Sequence, residues 1–257
     1  MPNRTFRKAG ARVPQGYYAW EAAGLRWLAA ASGGAEVVRV VDVREQELIM
    51  ELLTPIAPSR DQAEAFGAAL AETHRAGAQA YGSPPDGWSG DGWLGPLSEL
   101  LPLSLTPVDS WSDFYGYQRL EPVLRAGLRR GTFDDADAAL VEKVIVRVAE
   151  GEFDTGELPA RLHGDLWSGN VIWTRRGGVL IDPAAHGGNR EADLAFLQLF
   201  GAPHLDAILG AYLEAAPLVE GWQERISLHQ LHPLLLHAVL FGGAYVGQSL
   251  AVARRWS

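Results

Sequence analysis

The sequence predicts an α+β protein, with strands gathered near its N-terminal end and in one later hairpin and helices over most of the rest. Three observations carry this. Two β-rich runs, Val37 to Val43 and Glu47 to Leu53, are joined by the polar Arg44-Glu45-Gln46, as in a hairpin. Apolar residues recur at helical spacing from Trp20 to Ala31 and in several segments after Pro58. Between Asn170 and Asp182, two short apolar runs flank Arg175-Arg176-Gly177-Gly178, whose glycines suit a second reversing turn.

A chain of 257 residues can bury a large core, as one domain or as two unequal lobes. Its composition, 47% hydrophobic and 21% charged, is that of an ordinary globular enzyme. A net charge of −9 with no basic stripe argues against a nucleic-acid partner. Cysteine is absent, which excludes disulfides, thiolate zinc sites and thiol catalysis. Met1 to Arg12 lacks the apolar stretch of a secretory leader. The longest apolar run, Leu234 to Phe241, is too short to cross a bilayer. A cytoplasmic enzyme without a membrane partner is the expectation.

Taken in order, Thr5-Phe6-Arg7-Lys8 reads as the end of a short strand and Ala9 to Gly16 as a loop. Trp20 opens a helix with Glu21 near its start. Ser59 with Gln62 three residues later forms a capping box for the next helix, which stops at Gly77 and carries His74 on its packed face. Gly90-Asp91-Gly92-Trp93-Leu94-Gly95 fits G-x-G-x-x-G literally, but Pro84 to Trp88 precede it where that motif needs a strand. It reads as a Gly/Trp-rich loop. Trp111 starts a helix capped by Ser110 or Ser112, and Leu140, Val141, Val144, Ile145 and Val148 form one apolar stripe. Beyond Asp182, Leu194 to Phe200 is helical and closed by Gly201. Asp193 reads as a structural cap for that helix. From Leu205 to Arg255 the pattern is nearly all helical, with histidines at 229, 232 and 237.

The chemistry concentrates in Leu162-His163-Gly164-Asp165-Leu166-Trp167-Ser168-Gly169-Asn170 and the hairpin that follows. With the turn at 175 to 178, Thr174 faces Val179 and Val171 faces Asp182. Asn170 and Asp182 then stand side by side, with Asp165 on the loop entering the ribbon. Two carboxylates and an amide are hard oxygen donors suited to magnesium. Phosphoryl transfer from a magnesium nucleotide asks for such donors, with one carboxylate near the attacking hydroxyl.

His163-Gly164-Asp165-Leu166-Trp167-Ser168-Gly169-Asn170 with Ile181-Asp182-Pro183 resembles the catalytic loop and metal site of the fructosamine kinase (ketosamine 3-kinase) family, relatives of the aminoglycoside and choline kinases. The resemblance runs from about Thr5 to Arg255, and the Trp167-Ser168-Gly169 insert favours this family over its cousins. It implies a protein-kinase-like two-lobe fold: a reduced N-lobe at 1–53, a hinge near 51–55, and a mainly helical C-lobe at 54–257. It implies ATP and Mg2+ as cofactors, with Asp165 as catalytic base and Asn170 and Asp182 as metal ligands. Lys8, paired with Glu21, would neutralise phosphate, and Glu51 and Leu53 would meet the nucleotide at the hinge. Trp167 would be a platform for the sugar, and His186, Glu191 and His232 candidates for substrate contact. Pro84 to Trp88 with Gly95-Pro96 resembles a loop on the acceptor side, and Arg119-Leu120 with Pro122 a structural element. The acceptor implied is a ketosamine or other glycated amine, phosphorylated on the sugar O3.

One departure stands out. Kinases of this kind open with two strands carrying a Gly-rich loop over the phosphates, and only seven residues, none of them Gly, precede Lys8. That loop is therefore expected to be missing. Two alternatives stay open beside the ketosamine kinase: a kinase of another small hydroxyl acceptor, such as an aminoglycoside or amino alcohol, and a non-catalytic binding relative. The oligomeric state is not encoded in any feature of the sequence.

Overall fold

The structure is a computed structural model that describes residues 4–10 and 13–257. Strand β1 (Thr5–Ala9) is followed by helix α1 (Tyr17–Ala29), which begins three residues before the predicted Trp20. Tyr17 and Tyr18 are both buried, so the core extends the helix backward from its periodic stretch. The expected 37–43 strand is broken in two, β2 (Glu36–Val37) and β3 (Val40–Arg44), and β4 (Glu47–Glu51) returns along β3. The sheet order is β1-β4-β3, antiparallel throughout, with Lys8 opposite Leu48.

Helix α2 (Arg60–Arg75) has the predicted Ser59–Gln62 capping box. Gln62 also donates from Nε2 to the Thr174 carbonyl, 2.9 Å away, tying the helix start to the later hairpin. The Gly/Trp-rich stretch is more ordered than the loop predicted for it. Gly92–Leu94 (β5) pairs with Leu101–Leu103 (β6), and only a glycine fits at position 92 because the Trp20 indole lies against it. Helix α3 (Trp111–Asp113, capped by Ser110) runs through a π-helical turn, Phe114–Leu120, into α4 (Glu121–Arg130), and α5 (Asp135–Ala149) follows. Val141, Val144, Ile145 and Val148 of α5 are buried, as their stripe requires.

Strand β7 (Ala160–Leu162) enters the motif loop, a 3-10 turn spans Ser168–Asn170, and β8 (Val171–Thr174) and β9 (Gly177–Leu180) form the hairpin. Its register corrects the expected one. The turn holds only Arg175 and Arg176, Thr174 lies opposite Gly177, and Val171 faces Leu180 rather than Asp182. Gly177 takes φ 111°, which absorbs the reversal immediately after the two arginines and leaves Gly178 free to pair. β2 adds to the hairpin in parallel, Val37 beside Leu180, which joins the N-terminal segment to the motif region. After β10 (His186–Gly188), paired with β7, come four helices: α6 (Glu191–Phe200), α7 (Leu205–Ala215), α8 (Trp222–Phe241) and α9 (Ala244–Trp256). One apolar core runs through the whole molecule, from Leu25 and Leu48 through Leu70, Val141 and Leu180 to Leu235. None of the helices among the described residues is long and apolar enough to cross a membrane.

The packing of α2 on α7 sets a first prediction. A methyl group on Gly67 would overlap the Ile208 carbonyl, whereas one on Gly210 of α7 would meet open space. Overpacking of this sort costs about 1–3 kcal/mol, more than the ~1 kcal/mol that alanine gains over glycine in a helix. Calorimetry should therefore find Gly67→Ala less stable, with a Tm lower by several degrees, and Gly210→Ala slightly more stable.

Candidate active site

The loop between β7 and β8 is held from below. Asp193, on the first turn of α6, accepts backbone N–H bonds from His163 (2.7 Å) and Gly164 (2.9 Å) and a ring N–H from His74 (3.2 Å). The other ring nitrogen of His74 meets the Tyr212 hydroxyl at 2.8 Å. Burial alone would raise the Asp193 carboxyl, but its bond to His74 and the charges of His74 and His163 hold it below the usual carboxylate range. Gly164 sits at φ 80° against the Ala184 carbonyl, a position no side chain could share. The loop backbone is thus fixed before any ligand arrives.

On that frame Asn170 donates from Nδ2 to the Asp165 carbonyl (2.8 Å) and to Asp165 Oδ2 (2.9 Å). Both amide hydrogens are used, so the Asn170 carbonyl oxygen remains as an acceptor for a cation. The Asn170 backbone carbonyl accepts from Ile181, one residue before Asp182. Asp182 adopts φ 51°, a left-handed conformation costly for a non-glycine residue, as the chain turns from β9 into Pro183. Its Oδ1 lies 3.1 Å from Lys8 Nζ. Lys8 reaches across from β1 and donates to both Glu21 oxygens at 2.9 Å. Gly24, one helical turn beyond Glu21, lets α1 press on Pro183 and Ala185, which brings Glu21 up to the Asp182 segment.

The electrostatics follow from this crowding. Burial pulls the Lys8 ammonium down, yet the Glu21 and Asp182 carboxylates overcome it and hold the amine above its ordinary value. Burial pushes Glu21 up to about 7 against the pull of Lys8. Burial likewise raises the Asp165 carboxyl, opposed by His163 and the Asn170 bond.

Lys8, Glu21, Asp165, Asn170 and Asp182 all line one cleft of about 620 Å3. Aromatic side chains line much of the rest. Trp167, 40% exposed, lies over Gly169 and edge-on to Phe200 at 6.3 Å, and Phe196, Phe200, Phe241 and Tyr245 surround His237 at 5.1–6.3 Å between ring centres. Trp20 and Trp93, packed edge-on at 5.6 Å, also line it. Of this aromatic wall only Trp167 is expected from the sequence; the i, i+4 spacing of Phe196 and Phe200 and of His237 and Phe241 is the signal that marks the rest.

Other expected residues fall elsewhere. Glu191 is a correction. It is 0% exposed and its carboxylate is spent on Arg225 (2.6 and 3.0 Å) and His229 (3.3 Å), so it does not reach the cleft. Glu51 is another, since its side chain takes Arg176 (2.7 Å) and the Arg39 amide (3.1 Å) and it lines no part of the cleft. Leu53, just beyond β4, packs on the core and is also outside the cleft lining. His186 and His232 border a smaller recess behind Asp165 rather than the cleft itself. The His186 Nδ1–H donates to the Ala184 carbonyl at 2.7 Å, and burial followed by the charge of Arg119 holds the ring down at about 3, hence neutral.

No group of three His, Cys, Asp or Glu side chains among the described residues could by itself hold a metal. The donors here are two carboxylates and one amide oxygen. That set fits magnesium, which is commonly bound through one or two carboxylates with substrate phosphates and waters completing its shell.

A small antiparallel sheet over a helical body, with an ion-paired lysine facing a carboxylate–asparagine–carboxylate set across a cleft, defines a protein-kinase-like phosphotransferase fold. The same fold is found in a choline/ethanolamine kinase family protein from Mesorhizobium loti (TM-score 0.58, 14% identity, covering 99% of this chain and 88% of that one). The fructosamine kinase family model matches residues 2–255, and the chain belongs to that family. A Thermobifida fusca structure assigned as a fructosamine-3-kinase superposes with a TM-score of 0.88 at 47% identity, over 97% of this chain and 84% of that one. Proteins assigned as ketoamine kinases from Synechocystis sp. and Enterococcus faecium are 37% and 32% identical over 204 and 248 residues. These alignments take in 79% and 95% of this chain, and 64% and 84% of the relatives.

Proposed function

We propose that the chain is an ATP- and magnesium-dependent kinase that phosphorylates the sugar O3 of a ketosamine, such as a fructosamine or ribulosamine adduct of an amine. The observation that carries this reading is the meeting of Lys8–Glu21, Asp182, Asn170 and Asp165 in one cleft that aromatic side chains also line. Residues 1–53 form the nucleotide side in this reading, and 54–257 carry the motif loop and the acceptor wall.

Each group has a task that its surroundings suit. Lys8, kept protonated by two carboxylates, meets the negative charge of the nucleotide phosphates. Asn170 Oδ1 and the Asp182 carboxylate would hold the cation, which would supply positive charge against the phosphates. Asp165, steered by the Asn170 amide, aligns the attacking sugar hydroxyl and accepts its proton. Trp167 offers a flat apolar face for the sugar ring, and the Phe200–His237–Phe241 cluster encloses it from the other side.

The test is ADP release by the purified chain with ATP, Mg2+ and fructosyl-lysine or ribulosyl-lysine. Release should depend on acceptor and stop with EDTA, and phosphorus–carbon coupling in the product should place phosphate on C3. Turnover of aminoglycosides or amino alcohols without turnover of any ketosamine would overturn the acceptor assignment.

A further inference from the structure

We propose that the small recess behind Asp165 is a binding site for a carboxylate group, gripped by the outer edge of the Arg119 guanidinium and by His232. Resting on the ketosamine reading, we assign that carboxylate to the amino-acid half of the acceptor.

The recess measures about 60 Å3 and shares Leu94, Asp165, Phe196 and Leu236 with the large cleft, so the two adjoin beside Asp165. It has room for a carboxylate but not for a sugar ring. Arg119 lines it from the π-helical turn between α3 and α4, a local widening that recurs at ligand sites. Among the described residues Arg119 is the one buried lysine or arginine, 3% exposed. Its Nη1 donates to the Ser104 and Gln118 carbonyls, each at 3.0 Å, and its guanidinium lies 4.3 Å from the Phe114 ring centre. Its Nε and Nη2 meet no partner. Those two N–H groups form one edge of the fork, the edge that takes both oxygens of a carboxylate.

Of the half-buried cations elsewhere, Lys8 has Glu21, Arg190 has Glu157 and Arg225 has Glu191, while Arg161 lies over the Trp27 ring and donates to the Trp27 carbonyl. Arg119 has no counter-charge in contact. Asp91 bears on it only at a distance and spends Oδ1 on the Leu105 amide. Asp193 borders the recess with its oxygens committed to His163, Gly164 and His74, and Asp165 borders it with Oδ2 committed to Asn170. A sealed cation without a counter-ion is costly, and an arriving anion removes that cost. His232 Nε2 is likewise sealed and without a partner, free to donate to the same guest. Burial, then Arg119, keep His186 and His232 neutral, so Arg119 supplies the single positive charge of the three.

The position of the recess also says which adduct fits. A carboxylate lodged there lies next to the group that aligns the sugar hydroxyl. An α-glycated amino acid, with its carboxylate close to the ketose, is the adduct suited to occupy both places at once.

Two measurements on the full chain test this. Thermal unfolding at matched ionic strength should show a saturable rise in Tm with sodium formate or acetate over chloride, reduced in Arg119→Gln and in His232→Leu. If Arg119→Gln does not fold, His232→Leu decides alone. In turnover, the fructosyl adduct of glycine should exceed that of glycinamide in kcat/KM by about tenfold or more, the usual worth of a charge-assisted hydrogen bond. That ratio should fall toward one in both variants. Carboxylate stabilisation with equal turnover of acid and amide would confirm the site and overturn the acceptor assignment, leaving a free anion as occupant. The absence of both stabilisation and discrimination would overturn the site. Absence of turnover with every ketosamine would instead count against the kinase reading, while the formate result still decides the recess.

Discussion

Asp165→Asn is expected to lower kcat by about 10²–10⁴-fold, the range for loss of a general base, while ATP affinity and Tm stay close to the parent values. The substitution is nearly isosteric, and the Asn170 bond to the Asp165 backbone carbonyl at 2.8 Å does not involve the altered group. The loop is anchored instead through His163 and Gly164, so the defect should be chemical rather than structural. An amide can still orient a hydroxyl but cannot take its proton. Steady-state kinetics at saturating ATP and acceptor, with nucleotide affinity from a separate titration, would check it. An unchanged kcat would remove Asp165 from the reaction. The pH profile gives a further check. Burial raises the Asp165 carboxyl, so the acid limb of kcat/KM should lie above its ordinary 3.8 and be absent from the residual activity of the variant.

Asp165, Asn170 and Asp182 were legible because they fall within eighteen residues of one loop and hairpin, where local spacing already constrains geometry. Lys8 and Glu21 carry little signal thirteen residues apart, and only the family resemblance raised them; the structure puts Nζ at 2.9 Å from both Glu21 oxygens. The hairpin register was misread by assigning Gly177 and Gly178 both to the turn, when one glycine at φ 111° suffices. Glu191 was misread because proximity in sequence to Asp182 says nothing about which way a helix start faces. Its partners Arg225 and His229 lie on α8, more than thirty residues on. The aromatic wall draws on α6, α8 and α9 together, and no window of sequence contains it.

A contact that no local spacing reveals carries the second large prediction, since His74 and Asp193 are 119 residues apart. Asp193, 1% exposed, is the acceptor for two backbone amides and a histidine ring; the bonds from His163 and His74 are buried and that from Gly164 is half-buried. Asp193→Asn replaces one acceptor oxygen with an NH2 group that faces a donor, and Asp193→Ala leaves every donor without a partner. Breaking a buried charged network from one side costs about 3–5 kcal/mol, so Tm should fall by roughly 6–20 °C at the ~2–4 °C per kcal/mol expected for a chain of this length. Turnover should fall as well, because Asp165 follows His163 and Gly164 directly. The pH dependence separates this from a simple loss of packing. The folded carboxyl is held below its ordinary 3.8, so the stability it contributes is fully present above that value and drains away as pH falls through the folded value. Wild-type unfolding measured from pH 6 down to pH 2 should show that loss, and Asp193→Asn, having no proton to take up at this position, should show a shallower acid decline from its lower starting point. Parallel acid declines in the two proteins would mean that Asp193 is not ionised in the fold and that the loop is held by other means.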